Sequence, residues 1–245
     1  MPTRQFFSQV ALRLAPDDGM YSNNDAHYLS CGASALNAIL AALQTADTQT
    51  PTSILDFGAG AGRVTRWLRV AFPEARLAAC DVRERDMSFC RKEFNAETWL
   101  SGTDVDALTA PQKYDLIWVG SVITHLSSAT SAMLIRKLFT WTNAGGLVVV
   151  STHGRYARTR QDSGALGYID PARWAAITKG YDESGFGYAD YANESGYGVS
   201  LTKLSWLAAL IEGMPQARLV MLSERAWDGH HDVFAIQNNA IALVA

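Results

Sequence analysis

A doubly wound α/β fold on a mostly parallel sheet is the architecture this chain predicts, and two observations carry it. Short apolar, β-branched runs alternate with helix-spaced segments between residues 53 and 152. An acid closing the first run is followed by glycines at alternate positions, Asp56-Phe57-Gly58-Ala59-Gly60-Ala61-Gly62. Strands alternating with helices lie parallel, with helices on both faces. A chain turning sharply from buried strand into helix needs glycine for permissive dihedrals and for close backbone approach to a ligand.

Composition sets the bounds. A chain of 245 residues accommodates one α/β domain with a substantial core, and 48% hydrophobic with 18% charged residues is ordinary for a globular protein. A net charge of −3 offers no basic face for nucleic acid. Arg63, Arg66 and Arg69 read as a solvated helix face, and Arg155, Arg158 and Arg160 as a cluster suited to an acidic substrate. Cys31, Cys80 and Cys90 show no metal spacing, so no metal is expected and free thiols point to a reducing compartment. No basic stretch and apolar segment open the chain, and no run of about 18 apolar residues occurs. A cytoplasmic protein without a membrane span is the expectation.

The elements follow in order. Pro16-Asp17-Asp18-Gly19 reads as a turn, and helical spacing of apolar residues predicts a helix over 25–43. Strands are predicted at 53–57, 76–82, 97–100, 114–119 and 147–152, with helices at 64–70, 84–94 and 129–140. Residues 154–200 break the pattern. They are rich in Gly, Tyr, Asp and Ser with little periodicity outside 171–178, and their aromatic content argues for an ordered, irregular cap over a site. Gly196-Tyr197-Gly198-Val199-Ser200 reads as a hinge. A helix over 203–212 and strands at 218–223 and 232–237 complete the chain. The organisation is one domain: a helical lid region (1–50), a cofactor-binding core (51–153), a cap (154–202), and a closing helix and strands (203–245).

These motifs resemble class I S-adenosylmethionine-dependent methyltransferases from Ile54 to about Thr152. The glycine spacing is G-x-G-x-G, whereas nicotinamide-binding folds use G-x-G-x-x-G. The resemblance implies a Rossmann-like, seven-stranded sheet whose last strand is antiparallel, and S-adenosylmethionine as cofactor. It assigns the cofactor cradle to Asp56, Phe57, Gly58, Ala59, Gly60, Gly62 and Arg63, with Asp56 facing the methionine ammonium. Asp81, ending the second strand, would accept the ribose hydroxyls, with a plain strand-end turn as the alternative. Val82 would pack on the adenine. Ser101-Gly102-Thr103-Asp104-Val105 resembles the segment that holds the adenine amino group, through Asp104, and flanks the ring, through Val105. An N-capping or turn role is the alternative for this aspartate. Gly120 and Ser121 would border the sulfonium.

Methyl transfer to a hydroxyl favours a nearby general base. The candidates are His125, in the loop where the family often carries a histidine, and His153, at the end of the fifth strand. A structural role is the competing reading for each. Tyr28, Arg155, Tyr197, His230 and His231 are the candidate acceptor-binding residues, with a turn role open for the last two. The cap together with Thr152-His153-Gly154-Arg155 resembles methyltransferases of glycan and polysaccharide pathways. O-methylation of a small molecule or sugar hydroxyl is therefore expected. A non-catalytic cofactor-binding module is the alternative, and N-methylation of a small amine a lesser one.

Overall fold

Strand β1 (Ser53–Phe57) is buried along its whole length, as expected of an apolar strand with neighbours on both edges and both faces. In the computed structural model, which describes residues 2–239, it pairs in parallel with β2 (Arg76–Asp81) on one side and β4 (Tyr114–Val119) on the other. The sheet extends through β3 (Glu97–Leu100) at one edge and through β5 (Thr142–His153), β9 (His231–Asn238) and β8 (Ala217–Trp227) at the other. Its order is β3-β2-β1-β4-β5-β9-β8. The final strand β9 is antiparallel to both neighbours, and the other six strands share one direction. The predicted fold class is borne out. Connections leave β1 and β4 in opposite directions along the sheet, which opens a crevice beyond their carboxyl ends, where ligands of open α/β sheets bind.

Two apolar layers cover the sheet. On one face lie α1 (Asp25–Ala46), α2 (Thr65–Ala71) and α3 (Glu84–Phe94), contributing Leu36, Ile39, Trp67, Met87 and Phe94. On the other lie α4 (Ser128–Thr140) and α7 (Leu204–Glu212), contributing Leu134, Ile135, Leu138, Leu207 and Ile211. Helix α1 begins at Asn24, whose side chain accepts the His27 N–H, and ends at a left-handed Asp47. By length and mean hydropathy (1.3) it qualifies as a span of a membrane. Cys31, Leu36, Ile39 and Ala42 are instead buried in the protein core, and the region expected as a lid is largely core.

Two further expectations need correction. Residues 154–202 are mostly regular: α5 (Arg155–Asp162), α6 (Pro171–Ser184), β6 (Phe186–Asp190) and β7 (Gly198–Thr202), the last two forming an antiparallel pair, with irregular stretches left at 163–170 and 191–197. They close on their own small core of Ala157, Trp174, Ile177, Tyr181, Val199 and Leu201. The segment read as a hinge is thus mostly a fully buried strand. The arginines of α2 are not a solvated face either. Arg66 is 1% exposed and donates to the Ala11, Arg13 and Gly62 carbonyls, while Arg69 ties down those of Phe94, Pro73, Ala75 and Asn95. Of the closing region, residues 240–245 lie outside the described residues.

Candidate functional site

A cavity of about 790 Å³ opens beyond the carboxyl ends of β1, β2 and β4. Its floor is the glycine turn. Gly58, Gly60 and Gly62 all have positive φ (72°, 52° and 81°). A Cβ on Gly58 would fall 2.4 Å from Val122 Cγ2, and one on Gly62 2.3 Å from Phe94 Cε2. Nothing of the protein lies within 4 Å of a Cβ placed on Gly60, a cavity-lining residue whose backbone is left bare. Gly62 itself packs on α3 and does not line the cavity.

Two carboxylates organise this end. Asp56 is 2% exposed and accepts the Thr65 hydroxyl at 2.6 Å. Burial pushes its carboxyl up to about 7, with the Thr65 hydroxyl opposing and the charge of Asp81 adding. Asp81 accepts the Gly60 N–H through Oδ2 and the Val82 N–H through Oδ1, each at 2.8 Å. Val82, Ser101, Gly102, Thr103 and Val105 continue the wall. Asp104 is not in it: its Oδ1 accepts the Asp106 N–H at 3.0 Å, a local turn bond. Phe57, Ala59 and Arg63 line the cavity, and the Arg63 guanidinium sits 5.6 Å from the Trp227 ring centroid.

At the opposite wall Ser121 holds a left-handed backbone (φ 58°), with its N–H donated to the Ser151 hydroxyl at 2.8 Å. Such conformations cost energy for a non-glycine residue and persist where surroundings impose them. Gly120 is equally confined, because a Cβ there would lie 2.7 Å from Trp118 Nε1. Beyond them His125 lines the cavity. Its Nδ1 bonds the Gly198 carbonyl at 2.8 Å and its ring stacks on Tyr197 at 4.7 Å. A carbonyl only accepts, so Nδ1 carries the proton and Nε2 keeps a lone pair. Burial holds this imidazole below its ordinary value.

The other candidates lie elsewhere. His153 is outside the cavity lining, fully enclosed, and pushed down to about 3 by burial. His231 is buried beside it, and His230 occupies the β8–β9 turn. Arg155 is an exposed surface residue paired with Glu224 at 2.6 Å, and Arg158 is paired with Asp182, so neither guanidinium is left free for an acidic substrate. Tyr28 is buried and donates to Asp18 at 2.6 Å, and it is Asp18 that reaches the cavity. Sequence reasoning passed over Asp18, which looks like turn punctuation, and Trp118, which looks like core; both are cavity walls.

The bare backbone at Gly60, the acid braced against it and the buried carboxyl below fit an adenosyl amino-acid cofactor better than a phosphate, which would favour cationic partners. A family profile described as "Methyltransferase domain" matches residues 55–148. This segment, less than half of the chain, is a methyltransferase domain by that match. Among curated proteins, malonyl-[acyl-carrier protein] O-methyltransferases are similar to it. That of Acetivibrio thermocellus is 27% identical over 109 residues, which are 44% of this chain and 38% of the relative. That of Halalkalibacterium halodurans is 27% identical over 111 residues, 42% and 40% of the two chains. These alignments thus span well under half of the relatives' length. Among solved structures, a S-adenosylmethionine-dependent methyltransferase from Clostridium acetobutylicum superposes with a TM-score of 0.58 at 14% identity, covering 84% of this chain and 91% of that one. The N-methyltransferase NodS from Bradyrhizobium japonicum, solved with S-adenosyl-L-homocysteine, gives 0.55 at 16% identity over 96% and 98%. Both share the fold of this methyltransferase domain.

Proposed function

We propose that the methyltransferase domain methylates an oxygen of a small-molecule or sugar acceptor, with His125 as general base. The observation that carries this reading is the Nδ1–Gly198 bond, which directs the proton of a neutral, cavity-lining imidazole away from Nε2. When bound, S-adenosylmethionine supplies a methyl group already activated on a sulfonium. The protein's task is then positioning, exclusion of water and removal of the acceptor proton. Asp81 would hold the ribose hydroxyls, Asp56 the ammonium, and Val82 and Val105 would pack against the adenine. Gly120 and Ser121 border the reacting centre, and Nε2 of His125 takes the proton of the acceptor hydroxyl.

The two curated relatives are named O-methyltransferases, which supports oxygen over nitrogen as acceptor atom. A hydroxyl is favoured over a carboxylate because a carboxylate is ionised already and gives His125 nothing to remove. The aromatic ring of Tyr197, which lines the cavity beside His125, offers a face for a sugar or another flat acceptor. Three free, buried cysteines support action in the cytoplasm.

The test is methyl transfer from labelled S-adenosylmethionine to a panel of sugar and small-molecule hydroxyl acceptors and matched carboxylates, with wild type and His125→Gln. Transfer to a hydroxyl that His125→Gln reduces by about a hundredfold or more supports the reading. Cofactor binding with no transfer to any acceptor supports a non-catalytic module, and transfer to carboxylates alone, unaffected by the substitution, removes the base.

A further inference from the structure

We propose that His153, His230 and His231 form a binding site for a divalent transition-metal ion of the zinc type. The sheet register creates the cluster: His153, the last residue of β5, is the direct antiparallel partner of His231, the first residue of β9. His230 precedes it in the turn. The His153 and His231 rings lie 4.8 Å apart and those of His230 and His231 4.1 Å apart. One ring nitrogen from each histidine lies within 4.8 Å of the other two.

Packing alone does not account for this arrangement. His153 and His231 are 3% and 7% exposed, and the Nδ1 of each is buried with no hydrogen-bond partner. Leaving buried polar nitrogens unpaired is costly, and a cation is the partner that satisfies several lone pairs at once. One of the remaining nitrogens is oriented as a metal-binding imidazole requires: His230 Nδ1 bonds the Asp228 carbonyl at 2.9 Å, which leaves its Nε2 as the electron-pair donor. Imidazole donors suit zinc, copper, nickel or iron(II) rather than magnesium or calcium. Tetrahedral zinc with bonds of about 2.0–2.1 Å sets its nitrogens about 3.3 Å apart, so the three side chains, whose nitrogens lie within 4.8 Å of one another, rotate inward on binding. His230, only half-buried, supplies the route in.

Three ligands leave a fourth position open, as in zinc sites that take up water or substrate. The Tyr168 ring stacks on His153 at 4.6 Å and its hydroxyl is likewise buried without a partner. Trp227, a wall of the cofactor cavity, packs 4.7 Å from His231. The ion would thus lie one ring behind that cavity. The inference stands on the cluster alone and does not depend on the acceptor or on the base.

The experiment is titration of tag-free, chelator-stripped chain with Co²⁺, followed by visible absorption, and with Zn²⁺, followed by calorimetry. The expected result is one equivalent bound with cobalt ligand-field bands, and at least a tenfold loss of affinity in His230→Gln and in His153→Gln. His153 is buried, so circular dichroism establishes whether its variant folds. If it does not, His230→Gln, a change in the turn, decides between the outcomes. Absence of stoichiometric uptake by the wild-type chain, or uptake unchanged in His230→Gln, overturns the proposal.

Discussion

Asp81 Oδ2 accepts the main-chain N–H of Gly60 at 2.8 Å, so the acid ending β2 and the glycine turn after β1 form one braced unit. Its Oδ1 bonds the Val82 and Arg83 amides at 2.8 and 3.3 Å. The carboxylate therefore shapes the cavity as well as facing it. Asp81→Ala is expected to weaken S-adenosylhomocysteine binding by about ten- to a hundredfold, the scale of lost hydrogen bonds to a charged group. Asp81→Asn, which retains an acceptor for Gly60, should fall between. Equal affinity in all three proteins by calorimetry would remove the ribose role.

His125 predicts a pH profile. Burial lowers its folded-state value below 6.5, so the imidazole is a free base at neutral pH. The kcat for a hydroxyl acceptor is then flat above neutrality and falls on acidification through a midpoint below 6.5. In His125→Gln the rate drops by about a hundredfold or more, and the acid limb disappears. A limb that survives the substitution belongs to another group.

The glycines of the turn should separate stability from binding. Gly62→Ala forces a side chain into left-handed backbone, which costs roughly 1–2 kcal/mol, and drives its Cβ to within 2.3 Å of Phe94. Gly60→Ala carries the same left-handed strain (φ 52°), but its Cβ meets no protein atom within 4 Å, so its melting temperature falls less. Gly60→Ala instead loses cofactor affinity, by tenfold or more. The reverse ordering would mean that the ligand does not pass over Gly60.

Asp56 makes cofactor affinity depend on pH. Its carboxyl, raised to about 7 by burial, is partly protonated at neutrality, and a cationic ammonium favours the ionised form. Binding at pH 6 therefore releases a proton, and affinity rises as pH increases through about 7. Calorimetry in buffers of different ionisation enthalpy checks this. Asp56→Asn should abolish the buffer dependence, and a wild type without it contradicts the assignment.

Arg155 should be dispensable. Exposed ion pairs contribute little, and its guanidinium is held by Glu224 away from the cavity. Arg155→Ala is expected to leave kcat/KM within about twofold of wild type, and a larger loss would return Arg155 to the acceptor site.

The core was legible because its signals are local. β1 is five consecutive buried residues, the turn needs its glycines, and Asp81 stands at a strand end. The cap was not, because its glycines mimic loop residues. A Cβ on Gly187 would fall 1.8 Å from the Ile177 carbonyl, and one on Gly198 1.9 Å from that of Ala189. These glycines let a helix and two strands approach closely, a demand set by tertiary packing. α5 is equally opaque, since Ala157 is its one buried residue among the described positions. The histidine cluster was hidden for another reason: His153 and His231 are far apart in sequence and meet only through the β5–β9 register.

Strand β7 ties the cap to the cavity wall that carries His125. The Gly198 carbonyl holds His125, and the Ser200 hydroxyl donates to the Ile123 carbonyl at 2.9 Å in a buried contact. Lifting the cap as a body would cut both ties and untether the imidazole. The short rim at Glu194–Tyr197 borders the cavity without either tie, so it is the part of the cap that can shift while the imidazole stays anchored.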